Sequence, residues 1–256
     1  HRTMHTQRDV VESFRNREEA ESCYNTMNKM IFVSESVRKA FLNNCDYKGN
    51  TDVLYNTVES DKIIQMSHDD ASEIHKEKIG IIAVGSLKPV KGFTRLLRVV
   101  KKLYNEEYPI HLYILGIGPQ RKEIEKLIVD SSLSDVVSLL GYKTNPYKYI
   151  AKCSLFVCSS LSEGFSTAVT EALIVGTPVC TVDVSGMREM LGENNEYGLI
   201  TKNDEESLYQ GIKMMLDDPA LLKHYKEQAI IRGKVFKVDQ TVKDVERVLV
   251  KMIREE

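Results

Sequence analysis

Two glutamates, Glu163 and Glu171, stand with seven residues between them in the run Ser159-Ser160-Leu161-Ser162-Glu163-Gly164-Phe165-Ser166-Thr167-Ala168-Val169-Thr170-Glu171-Ala172-Leu173. Glu163 precedes a glycine, so it projects from a loop, whereas Glu171 falls inside a helical run. Ala168 lies three residues before Glu171 and Val175 four after it, so this carboxylate borders an apolar helix face. A carboxylate there needs partners, and a pair of ligand hydroxyls can supply them. The amides of Phe165, Ser166 and Thr167 open the helix, where backbone donors are unpaired and negative charge is favoured. Taken alone, the two carboxylates read first as a solvated loop group and a helix-flank group bonded to backbone.

Two further loops hold groups suited to an anion. The first reads Gly85-Ser86-Leu87-Lys88-Pro89-Val90-Lys91-Gly92. Its glycines allow close backbone approach, and Lys91 lies beside a helix start at Phe93. A surface loop with solvated lysines has the same composition. The second, Gly116-Ile117-Gly118-Pro119, resembles the opening of a dinucleotide fingerprint, but Arg121 occupies the place of the required third glycine. Nicotinamide dinucleotide binding is therefore disfavoured, and no Walker-type phosphate loop is present. The sequence also contains no D-x-D pair for a metal-bound phosphate.

These loops need strands behind them and helices after them. From residue 79 onward, short apolar runs alternate with longer amphipathic ones, the pattern of a parallel sheet wrapped by helices. Strands are expected at Ile81–Val84, Ile110–Leu115, Val136–Leu139, Leu155–Cys158 and Val179–Val182, each without polar alternation because both sheet faces are covered. Helices are expected at Phe93–Tyr104, Gln120–Val129, Pro146–Ala151 and Ser166–Val175. The class is α/β, a doubly wound parallel sheet with C-terminal helices. Asn203 with Glu206 predicts a capping box for a helix through Leu216, and Asp218-Pro219 opens the next. A last amphipathic run, Val238–Ile253, places Val242, Val245, Leu249 and Met252 at helical spacing. Before residue 56 the pattern is sparse. Strands at Met30–Val33 and Val53–Tyr55, with a helix at Ser36–Leu42 between them, cannot bury much by themselves. Residues 6–28 and 59–78 read as polar stretches.

Composition narrows the function. The 256 residues carry 35 Lys+Arg against 37 Asp+Glu, a formal net charge of -2, so a nucleic-acid partner is disfavoured. No apolar run is long enough to cross a membrane. The start, His1-Arg2-Thr3-Met4-His5, lacks the apolar core of a signal peptide. Five cysteines without a C-x-x-C pair indicate neither a disulfide framework nor a zinc site and suit a reducing cytoplasm. His1 and His5 have helical ligand spacing, but two histidines do not make a metal site.

The ordered motifs resemble those of the retaining glycosyltransferases of family 4, the group 1 glycosyl transferases. The paired glutamates in E-G-F-S-T-A-V-T-E-A-L carry the resemblance first, and I-I-A-V-G-S-L-K-P-V-K-G at 81–92 is similar to that family's first strand and phosphate loop. Leu115–Pro119, Leu140-Gly141-Tyr142, Gly176–Val179 and Ser185–Glu189 fall in the family's order, and Ile31–Glu35 and Val53–Asn56 look like its last N-domain strand and hinge. The resemblance covers about residues 30–235. It implies a GT-B fold of two Rossmann-like domains facing across a cleft, with 1–56 the end of the N-terminal acceptor domain and hinge. Residues 57–236 would be the nucleotide-sugar donor domain, and 237–256 a C-terminal helix that packs back on the N-terminal domain.

By position, the resemblance gives the nucleotide ribose to Glu171 and the donor sugar to Glu163. Lys91 and the amides of Phe165–Thr167 take the diphosphate, with Glu163 and Lys91 as the catalytic pair. Gly85, Ser86 and Gly164 complete the donor loops, and Gly116, Gly118 and Tyr142 lie near the base. Ser86 stands where many members carry arginine, removing a bidentate phosphate partner that Lys88 could replace. The implied activity is metal-independent sugar transfer with retention, from a nucleoside diphosphate sugar (UDP-sugar first), in polysaccharide or cell-envelope glycan synthesis. No cofactor is implied. The implied partners are the nucleotide sugar and, through the rest of the N-terminal domain, an acceptor glycan or lipid-linked glycan, with peripheral contact at the inner face of the membrane. This stretch alone is expected to bind donor without transferring it. A non-catalytic nucleotide-sugar-binding or interaction module is the alternative.

Overall fold

The computed structural model describes Phe14, residues 16–56 and residues 58–254, with side chains as far as Val250. His1, His5 and Met252, considered above, lie outside the described residues or side chains. The chain forms one six-stranded sheet and one two-stranded sheet, parallel throughout. The small sheet pairs β1 (Lys29–Phe32) with β2 (Asn50–Val53), and α1 (Arg17–Tyr24) and α2 (Glu35–Asn44) flank it. After α3 (Ser60–Ser67) come β3 (Ile79–Val84), α4 (Phe93–Asn105), β4 (Ile110–Leu115), α5 (Arg121–Asp130) and β5 (Val137–Gly141). Then follow α6 (Tyr147–Lys152), β6 (Leu155–Cys158), α7 (Thr167–Ile174), β7 (Val179–Val182), α8 (Met187–Leu191) and β8 (Leu199–Thr201). Three helices close the chain: α9 (Glu205–Asp217), α10 (Pro219–Gly233) and α11 (Val238–Arg254).

The large sheet has the order β5-β4-β3-β6-β7-β8, a doubly wound sheet as the sequence predicts. Successive strand residues feed opposite layers. Ile81, Leu112 and Ile114 pack on the side of α4, α5 and α9, whereas Ile82, Tyr113 and Leu115 pack on the side of α6 and α7. Both faces are thus covered, which is why these strands read as continuous apolar runs. The chain winds outward from β3 to β5 and returns to β6 beside β3. That reversal opens a crevice at the carboxyl ends of β3 and β6.

Several expectations need correction. Residues 16–56 bury a core of their own, in which Tyr24, Phe32 and Phe41 are fully enclosed, because large rings replace the missing layers. The second strand there is Asn50–Val53 rather than Val53–Tyr55, and Tyr55 turns toward the large domain. The polar stretches hold α1 and α3, and β8 and α8 add elements that short local patterns concealed. The cap of α9 is Asp204, which accepts from the amide of Ser207 at 2.7 Å, not Asn203 with Glu206. Asn203 instead receives a guanidinium bond from Arg95. On α11, Thr241 and Val248 are buried while Val242 and Leu249 of the expected stripe are exposed.

Candidate functional site

The crevice is built by the loops that leave β3, β4 and β6. Close backbone contact locks them together. Gly116 has φ 145°, and a Cβ there would lie 1.8 Å from the carbonyl oxygen of Gly85. Gly92, with φ 65°, would place one 2.0 Å from the carbonyl of Ser159. Neither position admits a side chain, so glycine is required for the loops to touch. Gly118 is pressed against the carbonyl of Leu87, where a Cβ would lie at 2.5 Å. Gly118 therefore serves loop packing, while Gly116 and Gly85 also line the open cleft.

At the bottom of the crevice the two loops meet through charge. Lys91 Nζ lies 2.6 Å from Glu163 Oε1, and Ser160 Oγ donates to the same oxygen at 2.6 Å. Glu163 is 8% exposed, so it is a buried ion pair with its hydrogen-bonding satisfied on one oxygen. The aliphatic part of Lys91 passes over Gly85, within 3.5–3.6 Å of where a Cβ would lie, an ordinary van der Waals contact. Beneath the loop, buried Arg95 donates to the carbonyls of Ser159 and Ser160 and to Asn203 Oδ1 at 2.8 Å. Ser159 Oγ returns a bond to the carbonyl of Lys91 at 3.0 Å. The loop carrying Glu163 is therefore pinned from three sides. Sequence reasoning missed Ser160 and Arg95; the only signal for either was its spacing, Ser160 three residues before Glu163 and Arg95 in the first turn of α4.

Helix α7 begins immediately after this loop. Its cap, Ser166, is extended and makes no side-chain capping bond, so the first amides of the helix keep their donors for a ligand. Phe165 is buried, with its ring stacked on Tyr55.

A neighbouring cleft, which shares Val84 with the small pocket around the ion pair, encloses about 350 Å³. Val84, Gly85, Ser86, Gly116 and Ile117 form one wall, and Tyr142, Lys143, Pro146 and Glu171 the other. Glu171 is half-buried and makes no hydrogen bond among the described residues. Burial pushes its carboxyl from 4.5 up to about 7. Tyr142 is 71% exposed, a bare ring at the mouth of a partly apolar cleft. Lys143 is held by Glu73 at 3.1 Å. Glu73 sits at about 2 because Tyr149 donates to it, with a backbone bond and Lys143 adding to the effect. Lys88 is exposed and is not among the cleft's lining residues.

Residues 65–232 match the family described as glycosyl transferases group 1. The chain belongs to this family. Among curated relatives, a Campylobacter jejuni N-acetylgalactosamine-N,N'-diacetylbacillosaminyl-diphospho-undecaprenol 4-alpha-N-acetylgalactosaminyltransferase is 39% identical over 187 residues, covering 72% of this chain and 49% of that protein. An uncharacterized glycosyltransferase of Methanocaldococcus jannaschii is 31% identical over 232 residues, 77% of this chain and 57% of its own length. The chain thus spans about half the length of the curated relatives it matches. Among solved structures, Anabaena HepE in complex with UDP superposes with a TM-score of 0.82 at 20% identity, over 97% of this chain and 71% of that one. Sucrose-phosphate synthase from Thermosynechococcus elongatus gives 0.84 at 19%, over 99% and 68%. These likenesses show the fold. No helix among the described residues is long and apolar enough to cross a membrane.

Proposed function

We propose that this group 1 glycosyl transferase chain binds the nucleotide-sugar donor, a UDP-sugar first among candidates, for transfer with retention. In this reading residues 57–236 form the donor domain and 1–56 close the acceptor domain. Residues 237–256 return toward that domain. The acceptor is a glycan or lipid-linked glycan of the kind assembled into cell-envelope polymers. The observation that carries the reading is the half-buried Glu171, without a hydrogen-bond partner among the described residues, on the wall of a cleft that shares Val84 with the small pocket lined by Lys91, Glu163 and Ser166.

Each group then has a task set by its surroundings. Two ribose hydroxyls would donate to Glu171 and supply the bonds it lacks. Tyr142 would cover the base at the cleft mouth. The diphosphate would lie across the amides at the start of α7, with Lys91 as its counter-charge. Breaking the bond between the anomeric carbon and phosphate leaves negative charge on the diphosphate and positive charge on the sugar. Lys91 and the α7 amides stabilise the first charge. Glu163, fixed by Ser160 and freed in part when Lys91 turns to phosphate, faces the second. No divalent metal enters this scheme, in keeping with the absence of a D-x-D pair.

Calorimetric titration with UDP tests the reading. Saturable binding that Glu171→Gln weakens is expected, with no sugar transfer by residues 1–256 alone. Failure of UDP and other nucleoside diphosphates to bind would remove the proposal.

A further inference from the structure

The segment that joins the two sheets touches the donor loop through one ring. Tyr55, two residues beyond β2, stacks on Phe165 with centroids 4.9 Å apart and planes 17° apart. Both rings meet Phe236 edge-on, at 6.3 Å from Tyr55 and 5.9 Å from Phe165. Phe236 is fully buried in the turn between α10 and α11. Arg232 lies 5.3 Å over its ring and donates to the carbonyls of Met190 and Glu189. The Glu189 carboxylate in turn accepts from the first amides of α2, Glu35 at 2.8 Å and Ser36 at 2.7 Å. Tyr55 completes the circuit, with its hydroxyl 3.4 Å from Glu189.

Phe165 thus has two functions on one residue. Its backbone stands at the start of α7, two residues from Glu163, and its ring is the only part of that loop packed on the joining segment among the described ring contacts. A stacked pair has a preferred offset and plane, so it fixes the loop's backbone more narrowly than an aliphatic contact does. We propose that Tyr55 is a positioning residue for the donor site. Through its stack on Phe165 it holds the 163–167 loop in the setting that receives a nucleoside diphosphate, and so ties that setting to the docking of the N-terminal unit. The ligand in this statement rests on the donor-site reading above; the loop's dependence on Tyr55 does not. Coupling of this kind is reciprocal, so a bound diphosphate also stiffens the stack.

The sequence has no tryptophan, which makes the test direct. In Tyr55→Trp the single tryptophan sits in the stack, and its emission, excited selectively over the remaining tyrosines, changes as UDP is added, saturating at the Kd found by calorimetry. In the control Tyr104→Trp, on the exposed far end of α4, emission does not change. Without ligand, Tyr55→Leu raises hydrogen exchange at the amides of residues 164–167 by about tenfold, while α9 keeps its protection. Tyr55→Phe, which retains the ring, exchanges like the parent. UDP binds Tyr55→Leu about three- to tenfold more weakly and Tyr55→Phe within twofold. Should Tyr55→Leu also lose the protection of α9, Tyr55→Met takes its place. Parent-like exchange in the variant without the ring overturns the inference. If the parent itself binds no UDP, the donor-site reading fails, and the exchange comparison alone decides the role of Tyr55.

Discussion

Replacing Glu171 by glutamine separates stability from binding, because its burial disfavours the charged form while the proposed ribose contact requires it. Its pKa rises from 4.5 to about 7 through burial. Below pH 4.5 the group is protonated in both folded and unfolded chains, so it makes no difference to stability. Between 4.5 and about 7 only the unfolded chain ionises, and the folded state loses stability as pH rises. Above 7 the loss is complete. At 1.36 kcal/mol per pH unit it is bounded by about 3 kcal/mol, and water in the open cleft reduces that to about 1–2 kcal/mol. Glu171→Gln escapes the loss, so at pH 8 it should melt about 2–6 °C above the parent, and at pH 4.5 the two should coincide. Binding changes the other way. Two charge-assisted bonds from ribose are weakened, at a cost of about 1–3 kcal/mol for UDP. The parent's affinity should also fall about fivefold between pH 7 and pH 6 as the carboxylate is titrated, a dependence the variant lacks. The terminal phosphate of UDP titrates near 6 in both experiments, so the difference between the two proteins isolates Glu171. Melting curves at three pH values and calorimetry at two give the comparison. A variant that is less stable than the parent at pH 8, or that binds UDP equally well, refutes the reasoning.

Other perturbations probe the loops around it. Arg95→Met strips the carbonyls of Ser159 and Ser160 of a buried charged donor and should lower stability by about 2–3 kcal/mol, read by urea unfolding. Gly116→Ala forces a Cβ into the carbonyl of Gly85, whereas Gly141→Ala at φ 70° meets only Arg121 at 3.8 Å. The first should cost several times the second, which stays near 1–2 kcal/mol, in thermal denaturation. UDP affinity measured with and without a chelator should agree within about twofold; a tenfold loss, about 1.4 kcal/mol, would show that a metal takes part. Ser160→Ala removes one of the two groups on Glu163 Oε1 and should leave UDP affinity nearly unchanged while weakening a sugar nucleotide, because Glu163 is assigned to the sugar.

The sheet was legible because β3, β4, β6 and β7 are covered on both faces and so read as unbroken apolar runs, whereas the edge strand β5 is mostly half-buried and was found from the apolar residues around Ser138. β8 escaped for the same physical reason in reverse. It is a half-buried edge of three residues, Leu199–Thr201, and carries no such run. In residues 16–56 the core is made of separated aromatics, Tyr24, Phe32, Phe41 and Tyr47, whose rings meet at tilted or edge-to-face angles across gaps in sequence and leave no periodic trace. Asp204 and Asn203 are neighbours with the same capping chemistry, and only the position of Arg95 in space decides which one caps α9. At the crevice, Glu163, Glu171 and Lys91 were legible as residue types in turns and helix starts. The Lys91–Glu163 contact was not, since it joins residues 72 apart on loops brought together by the sheet's reversal. The same applies to Tyr55 and Phe165, 110 positions apart in the chain.

The two glutamates differ most in what surrounds them before any ligand arrives. Glu163 has a lysine and a serine on one oxygen, and its loop is tied down by Arg95 and Ser159. Glu171, eight positions along, has no such bond and sits where ionisation is disfavoured. A group that must meet a charge that exists only during bond breaking gains from being held beforehand, since reorganising it at that moment would raise the barrier. A group that binds the unchanging part of a substrate gains from being incomplete, because the ligand then recovers the cost of its burial as affinity. The separation of the two environments within one loop and one helix turn is therefore in keeping with the proposed division, a fixed carboxylate for the sugar and a ligand-completed one for the nucleotide. A chain that needed either carboxylate only for stability would have no reason to leave Glu171 half-buried on a cleft wall without a hydrogen-bond donor.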